Sequence, residues 1–141
     1  MEKSDSKTKS FKDLVVWQKA HAFVLNIYQQ VKIFPEDYQA LVGDMLCESA
    51  TAIATNIVGG YKKKDRDEKL LFLTTAQEAL EECRYYITLA TDLNLLDSFQ
   101  AEELENNLNE VSYLLNSYAR SIRRRKENEP RKDKEEDSSK D

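Results

Sequence analysis

The run Ile53-Ala54-Thr55-Asn56-Ile57-Val58-Gly59-Gly60-Tyr61, continued by Lys62-Lys63-Lys64-Asp65-Arg66, divides this chain in the middle. Small and apolar residues at helical spacing run into two glycines and then into a dense basic turn. The glycine pair predicts a helix stop, because a left-handed residue costs little only for glycine. A second helix begins near Asp65.

On the N-terminal side, one helical pattern covers about Asp37 to Val58. Val42, Leu46, Ser49, Ile53 and Ile57 form its stripe. Ala50, Ala52, Ala54 and Val58 widen the small and apolar surface, which predicts cover on more than one side. An earlier helix runs from about Leu14 to Ile33, with Asp13 as its expected N-cap. Its expected stripe is Leu14, Trp17, His21, Val24, Tyr28 and Val31. Phe34-Pro35 ends it, since a residue before proline avoids helical angles.

On the C-terminal side, Leu73, Ala76, Leu80, Cys83, Ile87 and Ala90 stripe a helix from Asp65 to about Leu93. Phe72, Ala79, Tyr86 and Leu93 form a second stripe beside it. The turn is Asp92 to Ser98. A last helix, from about Phe99 to Arg125, places Ala101, Leu104, Leu108, Val111, Leu115, Tyr118 and Ile122 in an unbroken alternation of three and four. Short connections make neighbouring helices antiparallel. The fold class expected is all-α, an up-down-up-down four-helix bundle. Residues 11–126 form the bundle; residues 1–10 and 127–141 are expected to be disordered.

Composition agrees. The 141 residues are 40% hydrophobic and 33% charged, with 3 Gly and 2 Pro, which favours long helices. No apolar run reaches the roughly 18 residues of a membrane span, and the N-terminus has no apolar leader core. Two cysteines make no disulfide framework. A cytoplasmic protein without membrane partners is the expectation.

In this topology three basic clusters share one pole. Lys9 and Lys12 precede the first helix. Lys62, Lys63, Lys64 and Arg66 occupy the central turn. Arg120, Arg123, Arg124, Arg125 and Lys126 end the last helix. Glu36, Asp37, Asp92, Asp97, Glu102, Glu103 and Glu105 gather at the other pole. The helix dipole favours such end charges, but its effect fades within one turn. Five cations in seven positions exceed it. The clusters Lys62–Lys64 with Arg66, and Arg120 with Arg123–Lys126, are therefore the candidate contacts for nucleic-acid phosphates or an acidic protein. The acidic tail from Glu129 to Asp141 is able to fold back over them.

Catalytic and metal constellations are not found. His21, the one histidine, lies on an apolar stripe and reads as a packed residue. One histidine cannot supply the paired Glu-x-x-His of a di-iron bundle. Zinc on Cys47, Cys83 and His21 lacks the spacing of a zinc site. Glu78, Glu81 and Glu82 read as an ion-paired or solvated face, with Glu82 the candidate for a buried pair. Asn56 reads as an amide that fixes packing register. No cofactor is expected.

The residues Phe11-x-Asp13-Leu14-x-Val16-Trp17-Gln18-Lys19-Ala20, Tyr28 and Phe34-Pro35 carry a family likeness. So do Ile53-x-x-Asn56-Ile57-x-x-Gly60-Tyr61, Arg66, Phe72-Leu73-x-x-Ala76, Leu80-x-Glu82 and Ala90-x-x-Leu93. Across residues 11–125 the chain resembles the four-helix-bundle family of 23S rRNA-intervening-sequence proteins, also called S23 ribosomal proteins. That family includes the accessory variability determinant of diversity-generating retroelements. The resemblance implies a homo-oligomer, usually a ring of five bundles (a homopentamer), without enzymatic activity. In the retroelement member it implies binding of nucleic acid and of a reverse transcriptase. A cyclic ring would bring every basic pole to one face. The chain departs from the family pattern at Cys47-Glu48, Gly59 and Glu78-Ala79, and two of these changes remove positive or add negative charge. With a net charge of -5, the expectation is a non-catalytic accessory protein binding RNA or DNA through the basic pole. A protein-interaction scaffold without nucleic-acid binding is the alternative.

Overall fold

The structure, a computed structural model, describes residues 8–127. Four helices make the bundle: α1 Val15–Val31, α2 Glu36–Lys62, α3 Arg66–Asp92 and α4 Ser98–Glu127. Each packs on its two neighbours in the order α1–α2–α3–α4–α1, and α2 and α3 share the largest interface. The expected all-α up-down-up-down bundle is thus the fold observed.

The first described residues are already part of it, although they fall within the segment expected to be disordered. Ser10 and Asp13 close a capping box on the short 3-10 turn Phe11–Asp13. Asp13 accepts the Lys9 and Ser10 N–H groups at 2.9 and 3.3 Å. Leu14, not Asp13, is the N-cap residue of α1, and it makes no side-chain bond. The expectations for residues 1–7 and 128–141 lie outside the described residues. Glu127, assigned to the tail by sequence, is helical.

The stripe of α1 is rotated from the one expected. Val16, Ala20, Phe23, Ile27 and Val31 face the core. Trp17, His21, Val24 and Tyr28 lie one residue on, about 100° around the helix. Trp17 and Val24 are half-buried, and His21 and Tyr28 are exposed. His21 is not a packed core histidine. It stacks on Trp17 with ring centroids 4.9 Å apart, and Phe11 meets the same indole edge-on at 5.1 Å. The buried row is wholly apolar, whereas His21 and Tyr28 carry polar groups that stay in water.

Helix α2 opens with a widened π segment, Gln39–Gly43, and buries Leu46, Ser49, Ala50, Ile53, Ala54 and Ile57. It is long and apolar enough to cross a membrane by length and composition, yet Leu46, Ala50, Ile53, Ala54 and Ile57 are bundle core. The glycine pair does not stop it. Gly59 and Gly60 both keep negative φ, and the helix continues to Lys62. Their role is close approach. A Cβ on Gly59 would lie 2.6 Å from Phe72 Cε1, and one on Gly60 would lie 3.1 Å from Phe72 Cβ. Two helices meet here because two side chains are missing.

Helix α3 buries the expected Leu73, Ala76, Leu80, Cys83, Ile87 and Ala90, and the second stripe supplies buried Ala79. Asp65 caps it by accepting the Glu68 N–H at 3.0 Å. It ends in a Schellman turn: Leu95 donates to the Ala90 carbonyl at 2.8 Å and Asn94 to Thr91 at 3.0 Å, with Asn94 left-handed at φ 63°. Asp97 and Gln100 then exchange side-chain and backbone bonds of 2.7 and 2.9 Å to start α4. The row Leu104, Leu108, Val111, Leu115, Tyr118 and Ile122 is buried as expected.

Polar contacts hold α3 to α4. Arg84 donates to Glu105 at 2.7 Å and Asn109 at 2.9 Å. Glu82, expected in a buried pair, is exposed. Asn56 turns its amide back to its own helix, donating to Ala52 at 2.8 Å, so it does not tie one helix to another.

Candidate nucleic-acid interface

The basic pole is built where three stretches of chain meet. The hydroxyls of Thr8 and Tyr61 lie 2.7 Å apart, bringing the segment before α1 against the end of α2. A cleft of about 490 Å³ opens beside Tyr61, between the α2–α3 turn and the last turns of α4. Its lining is Tyr61, Lys62, Lys63, Lys64, Arg66, Lys69, Ile122 and Arg125. Six of these eight residues are cationic and none is acidic, so the cleft concentrates positive potential on a chain that is negative overall.

Five of the candidate residues line this cleft together: Lys62, Lys63, Lys64, Arg66 and Arg125. The three lysines are exposed, and the two arginines are half-buried. Lys63 places its ammonium 5.5 Å from the centroid of the Phe72 ring. The buried Nε of Arg125 has no hydrogen-bond partner among the described residues. Arg120, Arg123 and Arg124 are exposed and do not line the cleft. Arg120 reaches back to Ser117 Oγ at 3.5 Å. The side chain of Lys126 lies outside the described residues. Lys9 and Lys12 are exposed at the start of the chain's described part.

Lys69 is the residue that the sequence reading missed. It is buried, and its ammonium donates to the carbonyls of Gly60 at 2.9 Å and Tyr61 at 3.1 Å. These are carbonyls of the last turn of α2, where the i+4 donors run out; Gly60 also accepts the Lys63 N–H at 3.2 Å. The same ammonium lies 5.7 Å from the Tyr61 ring centroid. The signal was present: Lys69 stands four residues before Leu73, where the buried stripe of α3 extends backward.

At the other pole Glu36, Asp37, Asp92, Asp97, Glu102 and Glu103 are exposed. Glu105 is engaged by Arg84. A second, shallower groove on α3 is lined by Thr74, Gln77, Glu78, Glu81 and Glu82, a combination that repels phosphate. The zinc trio considered from sequence does not converge, since His21 is on the outer surface and Cys83 is fully buried. Burial pushes the Cys83 thiol up to about 12, so it is not a nucleophile at neutral pH. Burial, with Asp44 nearby, also raises the Cys47 thiol.

The sequence profile of the 23S rRNA-intervening sequence protein family matches residues 12–117. A crystal structure from Bacteroides thetaiotaomicron, described as a protein of unknown function from the S23 ribosomal protein family, has the same fold. Its TM-score is 0.70 at 24% sequence identity, with 74% of this chain and 98% of that chain covered. No curated protein matches significantly.

Proposed function

The chain belongs to the 23S rRNA-intervening sequence protein family, and from that premise we propose that it is a non-catalytic accessory protein that binds RNA or DNA through its basic pole. The observation that carries this reading is the convergence of six cationic side chains on one cleft without a lining carboxylate. Fixed cations on a concave surface attract phosphates, and bound phosphates release counterions. The exposed Arg120, Arg123 and Arg124 extend the same charge along α4. The site carries no nucleophile–base pair, so its chemistry is attraction and positioning.

Self-association belongs to the same reading. Leu41, Met45, Leu71, Tyr85 and Tyr113 are exposed large hydrophobic residues, as are Leu25 and Tyr28 on α1. Copies burying such surface in a ring of five would set their basic poles on one cationic face, and avidity would offset the acidic composition. A reverse transcriptase is the protein partner that the family resemblance suggests, with the cytoplasm as the setting.

Those exposed apolar side chains also favour one alternative, a protein-interaction scaffold that binds no nucleic acid. Gel shift with a structured RNA separates the two. Binding that weakens with salt supports the accessory reading. A complex with an acidic protein that tolerates salt, and no shift with RNA or DNA, supports the scaffold.

A further inference from the structure

The cations of the basic pole fall into two geometries. Arg120, Arg123 and Arg124 stand exposed along α4, outside the cleft. Side chains so placed meet phosphates along a strand without selecting one. Inside the cleft, cations from separate elements converge: Lys62–Lys64 from the end of α2 and its turn, Arg66 and Lys69 from α3, and Arg125 from α4. Lys69 is buried and held on two carbonyls, so its charge is fixed in place. The buried Nε of Arg125 has no acceptor among the described residues. A buried donor without an acceptor is costly, and an anion entering the cleft would supply one. Asp65, between Lys64 and Arg66 in sequence, is engaged in capping α3.

We propose that this cleft holds the terminal phosphate of a nucleic-acid strand, an assignment that rests on the nucleic-acid reading above. An internal phosphodiester carries a single charge and two substituents that must leave in different directions. A terminal phosphate carries about -1.5 to -2 charges near neutral pH, three acceptor oxygens and one substituent. Converging cations reward the higher charge. A recess rewards the group with one substituent. The exposed arginines of α4 then contact the strand that follows.

The test is fluorescence anisotropy on the full chain with one single-stranded RNA sequence carrying a 5′-phosphate, a 3′-phosphate or hydroxyls at both ends. A terminal phosphate should tighten binding about ten-fold, the factor expected of a well-placed charge-assisted contact. Arg125→Gln should erase that preference, so that all three strands bind the variant with one affinity, itself somewhat below that of the original chain for the hydroxyl-ended strand. Equal affinity for all three strands overturns the proposal and leaves nucleic-acid binding intact. No binding of any strand overturns both. Adenosine monophosphate is the third arm: if it binds as tightly as the phosphorylated strand, the cleft belongs to free nucleotides and the strand-end assignment is overturned.

Discussion

The ammonium of Lys69 donates to the Gly60 carbonyl oxygen at 2.9 Å from a side chain that is only 6% exposed. With its second bond to Tyr61 at 3.1 Å, it closes the end of α2 onto the start of α3. Lys69→Met keeps the length of the stem but leaves both carbonyls without the donor. Hydrogen bonds to charged groups contribute about 1.5–3 kcal/mol. The variant should lose about 2 kcal/mol, a figure that chemical unfolding would measure. Unchanged stability would mean that the bonds do not hold the turn.

Gly59 and Phe72 test the reading of the glycine pair. Gly59→Ala improves helix propensity by about 1 kcal/mol, yet its Cβ would lie 2.6 Å from Phe72 Cε1. Overpacking of this kind costs about 1–3 kcal/mol, so the net change should be destabilising. In a Phe72→Leu background the same substitution should cost less, and a double-mutant cycle reads the difference. A stabilising Gly59→Ala in the original background would contradict the close-approach account.

This pair also shows what the sequence carried. Residues Gly59-Gly60 are good stop signals, and nothing local distinguishes a stop from a contact with Phe72 in the next helix. The rows in α3 and α4 were legible because one apolar stripe is far stronger than its neighbours. In α1 the buried row Val16–Ala20–Phe23–Ile27 is the more apolar of two adjacent rows, so its burial was legible in composition, and the large rings of Trp17 and Tyr28 in the next row masked it. The basic pole followed from topology and charge alone. Its division into a cleft and an exposed row of arginines did not, because that depends on which way Arg125 and Lys69 turn.

The thiols give a chemical check on burial. Cys83 is fully buried with its thiol pushed up to about 12, while Cys47 is half-buried. The thiolate is the reactive form. Titration with a thiol reagent near neutral pH should modify Cys47 slowly and spare Cys83 until the chain is denatured. Rapid reaction of both in the native protein would mean that the α2–α3 core opens readily.

The aromatic group on α1 predicts a second stability effect. Trp17 has Phe11 edge-on at 5.1 Å and His21 stacked at 4.9 Å. Aromatic pairs add about 0.5–1.5 kcal/mol beyond area burial. His21→Ala, at an exposed position, should therefore cost about 1 kcal/mol or less, measured by thermal melting. A loss several times larger would place His21 inside the core.

The most direct test of the nucleic-acid account is the affinity of the full chain for a structured RNA, measured by anisotropy as salt rises from about 50 to 200 mM. The account predicts a steep linear fall of log affinity with log salt. It also predicts a shallower slope and weaker binding when Lys62, Lys63 and Lys64 are changed together to glutamine. Affinity that ignores salt, or that survives this triple substitution unchanged, would contradict it.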